Sequence, residues 1–419
     1  MKFRLQAEDL NEALSVAAIV PPRPITSQGG AGFLFVVEGT TCRIHSRDAL
    51  RQARAEVEIT DVDGEGSFIY PSDKVKALQY LDGWIEFEAG HDKDDDRYWV
   101  KYRSEGAAES DRSTYDPRLV QSMDEGLDAA ETEYTFPSAL LKEGLGVTKS
   151  YLAKPTETGV EDQFKILQLF DESKKEWARG DGHLFASDHV RVCYFYCEAL
   201  KGKGLTVHGQ HMPMLLSFLA KCEGNVTVKL GQGVTYVVNS KGWALGWAHH
   251  VKTHGKFSYY GHKMDGWLLK VDKDIILKTL RHTRAELDKR RDKIRVEYTH
   301  EDTSLRFRSS DGSGKVCSVP VGVVPVEDDQ GAGTKGKTDD FSANVNIDFL
   351  LGLFEPMHDH QAEFRASLVP AGQGRREVVL FRTIEEFWLS ESGKLLIAPT
   401  DTKEESYQCR VTRFMPSRD

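Results

Sequence analysis

The sequence predicts an α+β protein of three similar domains, each built from two βαβββ units. Three observations lead there. One unit, a short alternating strand, a polar turn and an amphipathic helix, recurs six times. Each helix carries a single apolar stripe, so it covers one sheet face and leaves its other side to solvent or ligand. Alternating, strand-like segments follow the helices.

The strands begin at residues 3, 68, 134, 205, 267 and 341, at intervals of 65, 66, 71, 62 and 74 residues. Phe3-Arg4-Leu5 leads into a helix from Glu8 to Val20 with Leu10, Leu14 and Ala17 on one face. Phe68-Ile69-Tyr70 leads into a helix with Val75, Leu78 and Leu81, N-capped by Ser72 or Asp73. Tyr134-Thr135-Phe136 precedes Leu140, Leu141 and Leu145, and Leu205-Thr206-Val207 precedes Met214, Leu215, Phe218 and Leu219. Trp267 to Val271, then Asp272, precedes Ile275, Ile276, Thr279 and Leu280. Phe341 to Val345 precedes Phe349, Leu350, Leu353 and Phe354. Strand runs follow at 32–37, 41–45 and 53–59, at 226–230, 234–238 and 243–247, and at 294–298, 305–308 and 315–319. The domains expected are 1–128, 129–262 and 263–419, with half-domain joins near 60–66, 198–204 and 327–338.

With 40% apolar and 29% charged residues, the 419-residue chain can bury a real core. No apolar run is long enough to cross a membrane. Met1 to Leu5 opens directly into a strand with no signal-peptide core, so a cytosolic protein is expected. Cys42, Cys193, Cys197, Cys222, Cys317 and Cys409 lack zinc-finger spacing and read as free, mostly buried thiols. A net charge of -10 argues against a basic DNA coat, but not against an acidic exterior with a basic inner wall.

Several motifs lead nowhere. Gly331 to Thr338 matches the GxxxxGKT phosphate loop, but Glu327-Asp328-Asp329 precede it and Asp339-Asp340 and a strand follow, so the required strand and helix are missing. His249-His250 and His358-Asp359-His360 lack a metal site's ligand spacing. Asp181-Gly182-His183 has no Gly-x-Ser-x-Gly elbow to complete a triad. Asp92 to Asp96 reads as a solvated hairpin loop. No cofactor, metal or catalytic residue is expected.

The chain resembles, end to end, the bacterial sliding clamp, the beta subunit of DNA polymerase III. The resemblance rests on Met1-Lys2-Phe3, Arg23-Pro24-Ile25, Phe136-Pro137, the segment Ala178 to Ala186, and the C-terminal Phe414-Met415-Pro416-Ser417-Arg418, in that order. It implies helices lining a central channel with sheets outside. It also implies a non-enzymatic head-to-tail homodimer that encircles double-stranded DNA without reading sequence, is loaded by a clamp loader, and tethers the replicative polymerase. A partner-peptide pocket follows, using Gly180, Gly182, His183, Leu184 and Phe185 on one side, Ser258 beside it, and Phe414, Met415, Pro416, Ser417 and Arg418 on the other. Leu184 stands for the family's Arg, Ser258 for a Pro, Ser417 for Met and Asp419 for the terminal Leu, so altered partner preference is expected.

Sliding needs phosphate attraction without base readout. The candidate phosphate contacts are Arg23, Lys74, Lys76, Lys142, Lys149, Lys154, His208, His211, Lys278, Arg281 and Arg284. The first helix carries Glu8, Asp9 and Glu12, and the sixth Asp348 and Glu355 with Asp359 just beyond, so the surface is unevenly basic. The alternatives are a nucleotide-binding enzyme built on 331–338 and a clamp-like scaffold that does not encircle DNA.

Overall fold

The computed structural model describes the chain except residues 24–30, 95, 106–109, 116–123, 170–181, 189–190, 250–266, 288–292, 300, 302, 310–316, 321, 324–340, 356, 358–360, 371–376, 390–394, 397–404 and 417–419. Over 361–416 it describes backbone alone.

Six modules are present, each opening with a strand and a helix. Module one holds β1 (Lys2–Gln6), α1 (Ala7–Ala17), β2 (Gly32–Glu38), β3 (Thr41–Arg47), β4 (Arg51–Glu58) and β5 (Thr60–Asp63). Module two holds β6 (Gly66–Pro71), α2 (Val75–Leu78), β7 (Trp84–Asp92), β8 (Arg97–Ser104) and β9 (Ser113–Tyr115), followed by a short helix, α3 (Asp124–Asp128). Module three holds β10 (Thr132–Pro137), α4 (Ser138–Lys149), β11 (Ile166–Leu169), β12 (His183–Ser187) and β13 (Arg191–Cys197). Module four holds β14 (Leu205–His208), α5 (Met212–Leu219), β15 (Asn225–Leu230), β16 (Val234–Asn239) and β17 (Ala244–Ala248). Module five holds β18 (Trp267–Asp272), α6 (Lys273–Glu286), β19 (Lys293–Thr299), β20 (Ser304–Ser309), β21 (Cys317–Pro320) and β22 (Gly322–Val323). Module six holds β23 (Phe341–Asn346), α7 (Ile347–Phe354), β24 (Gln361–Pro370), β25 (Glu377–Leu389), β26 (Leu395–Leu396) and β27 (Glu405–Pro416).

The expected strand starts fall within these opening strands. The second helix does not match its reading: α2 is one turn long, its N-cap is Lys74, with no side-chain cap, and Leu81 lies beyond it. The chain turns away at Gly83, whose φ of +66° is the left-handed conformation that glycine adopts freely. The helices of the last two modules have the side-chain caps that α2 lacks. Asp272 Oδ1 accepts the Ile275 amide at 2.9 Å, and Asn346 Oδ1 accepts those of Asp348 and Phe349 at 2.9 and 3.2 Å.

Modules exchange their first strands in pairs. The sheets run β1-β7-β8-β9 and β6-β2-β3-β4, then β10-β15-β16-β17 and β14-β11-β12-β13, then β18-β24-β25-β27 and β23-β19-β20-β21. The end of β27 also meets β23 (Pro416 opposite Ala343), and two further ladders fuse sheets of different pairs edge to edge. β17 pairs with β4 (Trp247 opposite Arg51), and β27 pairs with β13 (Thr412 opposite Arg191).

The chain divides into two compact units, residues 1–142 with 211–250, and residues 143–210 with 251–419. In the first, exchange between modules one and two is sealed by stacked aromatics, Phe35 on Phe68 at 4.7 Å and Phe3 on Phe87 at 5.4 Å. In the second, Leu269, Ile276, Leu280, Val296, Phe307, Val345, Leu350 and Phe354 form one core. The stripes expected from spacing are the buried faces of α1 (Leu10, Leu14 and Ala17) and α5 (Met214, Leu215, Phe218 and Leu219), whereas in α6 the expected Ile275 is 46% exposed and Leu277 is buried with Ile276 and Leu280 instead.

Candidate nucleic-acid interface and partner pocket

Each fused ladder starts where an aspartate clasps the arginine three residues on. Asp48 Oδ1 and Oδ2 accept the amide and Nε of Arg51, both at 2.8 Å. Asp188 Oδ1 and Oδ2 accept the amide and Nε of Arg191 at 2.6 and 2.8 Å. An Asp-x-x-Arg turn therefore fixes the first residue of β4 and of β13, where the neighbouring sheet joins. Burial works to raise the Asp48 pKa, but the Arg51 side chain and the Leu50 and Arg51 amides outweigh it and hold the carboxyl below its usual range. The Arg191 guanidinium also lies 4.4 Å over the Phe349 ring and donates to Ser150 O at 2.8 Å, and Tyr151 Oη donates to Gly352 O at 2.8 Å. These contacts tie the end of α4 to α7. The sequence reading missed both turns, whose only signal is the repeated Asp-x-x-Arg after Ser46 and Ser187.

A second cluster, also missed, anchors α3. Asp124 accepts from Arg54 Nη1 at 2.5 Å and from Arg43 Nη1 at 3.2 Å, with His45 Nε2 at 3.8 Å. α3 is therefore held to β3 and β4 by its first residue.

Of the proposed phosphate contacts, Arg23, Lys74, Lys76, Lys142, Lys149, Lys154, Lys278 and Arg281 are exposed, and Arg284 is half-buried. Lys74 Nζ donates to Ser113 Oγ at 3.1 Å. Arg281 pairs with Glu355 at 3.1 Å and Arg284 with Asp348 at 3.0 Å. His208 and His211 are corrected. They are 8% and 0% exposed, with His208 Nδ1 accepting the Gln210 amide at 3.2 Å and the His211 ring beside Trp247. Buried imidazoles do not reach a phosphate. Two lysines outside that set reach α1: Lys241 pairs with Glu12 at 3.0 Å, and Lys221 Nζ donates to Ser15 Oγ at 3.0 Å.

Gly182 is confirmed as a tight-turn position. Its φ is +83°, and a Cβ there would meet Lys201 Cγ at 3.0 Å and Cys197 O at 3.2 Å. Phe185 is corrected as a peptide anchor: it is fully buried, as is Leu184, which packs against α4 where Gly144 leaves room. His183 is 4% exposed and lies against Tyr196. Met415 and Pro416 pair with Asn344 and Ala343 of β23, and Phe414 with Val379 of β25. The two pocket segments share one sheet, β12-β13-β27, but the register offsets them. Phe185 is opposite Tyr194, which is opposite Cys409, five residues from Phe414. That is about 17 Å along the strand. Gly180, Ser258, Ser417 and Arg418 lie outside the described residues, as do the 331–338 motif, His250 and His358 to His360.

A cavity of about 600 Å³ opens beside the β4–β17 ladder, lined by Asp9 and Glu12 of α1, Glu56 and Glu58 of β4, and Lys241 and Trp243. Four carboxylates against one ammonium make this wall repel phosphate. Among the described residues no cluster could hold a metal ion, and no helix is long and apolar enough to cross a membrane.

No family model and no curated protein sequence matches the chain. Solved structures do. The DNA polymerase III subunit beta of Pseudomonas aeruginosa superimposes with a TM-score of 0.73 at 16% identity, covering all of both chains. The chain has the DNA sliding-clamp fold. The sliding clamp of Caulobacter crescentus matches with a TM-score of 0.70 at 16% identity, again over all of both chains. The beta subunit of Thermotoga maritima gives 0.68 at 15%, with all of this chain and 99% of that one covered. Identity this low with full coverage fits a clamp fold held by the position of apolar residues rather than by their identity.

Proposed function

We propose that this protein is a DNA sliding clamp: a non-enzymatic ring of two copies that encircles duplex DNA and tethers a replicative polymerase for processive synthesis. One observation carries this beyond the fold. Among the described residues the chain makes two equivalent edge-to-edge ladders, β17 on β4 and β27 on β13, and leaves the third pair of equivalent strands, β9 and β21, at the ends of their sheets. A second copy supplies the missing partners: β9 of one meets β21 of the other, twice, which closes a ring. The domains of that ring are 1–128, 129–262 and 263–419. Exposed lysines on the helices, Lys76, Lys142, Lys149 and Lys278 among them, supply phosphate attraction that depends on charge and not on base identity. The polymerase and the clamp loader dock on the sheet that carries β12 and β27, near the C-terminus.

The test is topological. The dimer loaded on nicked circular DNA stays bound at salt that strips it from a short linear duplex, and cutting the circle releases it. Equal loss from both forms would leave a clamp-like scaffold that does not encircle DNA.

A further inference from the structure

Resting on that reading, we infer that Asp348 and Glu355 of α7 act as exchangeable stand-ins for DNA phosphate, setting how weakly the α6 arginines hold the duplex. The geometry is local to one pair of helices. Lys278, Arg281 and Arg284 recur every three residues on α6 and so lie near one another on its surface. Asp348 lies in the first turn of α7 and Glu355 is its C-cap residue, seven positions on and two turns along the same face. The later α6 arginine meets the earlier α7 acid: Arg284 Nε is 3.0 Å from Asp348 Oδ1, and Arg281 Nη2 is 3.1 Å from Glu355 Oε1.

These pairs are open to solvent. Side-chain exposure is 62% for Arg281, 47% for Glu355, 33% for Arg284 and 53% for Asp348. Exposed pairs of this kind are weak and screened by salt, so a phosphate can take the place of either carboxylate at little net cost. Two of the three α6 cations thus already hold a carboxylate before any phosphate arrives. Binding exchanges one weak partner for another, so the duplex is attracted without being gripped.

The experiment uses the full-length chain carrying Asp348→Asn and Glu355→Gln together, which keeps shape and removes the competing charge. Affinity for a short linear duplex should rise roughly two- to fivefold at low salt. The slope of log affinity against log salt should steepen by up to about 0.9 for each additional phosphate engaged. Arg281→Gln with Arg284→Gln should weaken binding, and the melting temperature should stay within about 2 °C in both variants. Unchanged affinity and salt slope in the acid-to-amide variant overturn the inference. So does a lower melting temperature with unchanged binding, which would make the pairs purely structural. The two failures are separable: wild type lost equally from nicked circles and linear duplex sinks the clamp, whereas retained wild type with an unaltered variant sinks only this exchange.

Discussion

His45 ties stability to pH through its position alone. It is 2% exposed, neither ring nitrogen has a hydrogen-bond partner among the described residues, and Arg54 and Arg43 share its surroundings with Asp124. Burial, the largest influence, and the two arginines push its pKa down to about 4 against the pull of Asp124. The unfolded chain protonates this imidazole near pH 6.5, whereas the folded chain resists until about pH 4. The unfolded state therefore binds the extra proton across that window, and stability falls as pH drops through it. The contribution is about 3 kcal/mol. Denaturant unfolding at pH 7 and pH 4.5 should show the wild type losing about 2 to 3 kcal/mol more than His45→Leu; parallel losses would mean that His45 does not titrate as a buried base. Burial also pushes the Cys42 thiol up, so Cys42 should resist alkylation at neutral pH while the protein is folded.

At the scale of the element, α4 separates propensity from packing with two glycines. A Cβ at Gly144 would meet Leu184 Cδ1 at 2.5 Å and Phe195 at 2.8 Å, whereas one at Gly146 meets nothing within 4 Å. Alanine favours a helix interior over glycine by about 1 kcal/mol, and this is the whole effect at an open site. At Gly144 overpacking costs about 1 to 3 kcal/mol and reverses the sign. Gly146→Ala should therefore raise the unfolding midpoint and Gly144→Ala lower it; two shifts of the same sign would show that α4 does not lie this close to β12 and β13. The same contrast explains what the sequence disclosed. Period and alternation reveal strands and helices that bury one face, so β1, β6, β10, β14, β18 and β23 were legible, as were the stripes of α1, α4 and α5, while α2 is shorter than its stripe implied and Ile275 of α6 points away from the core. Elements set by a few polar contacts were not. α3 depends on Asp124 meeting Arg43 and Arg54, 81 and 70 residues away, and the turns before β4 and β13 depend on an Asp and an Arg three apart. His208 and His211 illustrate the converse: placed beside a helix start, they read as surface cations, but both are buried.

For the whole molecule, the proposed assembly turns on β9, which ends its sheet among the described residues. β4 and β17 join through four opposed pairs and β13 and β27 through seven, whereas β9 is three residues long and is held to β8 by Tyr98–Tyr115, Trp99–Thr114 and Val100–Ser113. The seam between copies should therefore be the weakest of the three, because a shorter ladder brings fewer hydrogen bonds and less side-chain contact to offset the entropy lost on association. Thr114→Pro removes one backbone donor from the middle of β9 and stiffens the strand. If β9 is the seam, the variant should sediment as a monomer where wild type is a dimer. It should keep its melting temperature to within a few degrees, bind short linear duplex as before, and fail to persist on nicked circles. A Thr114→Pro protein that remains dimeric and persists on circular DNA would show that the copies meet elsewhere, and the equivalence drawn from the two internal ladders would not extend to the third.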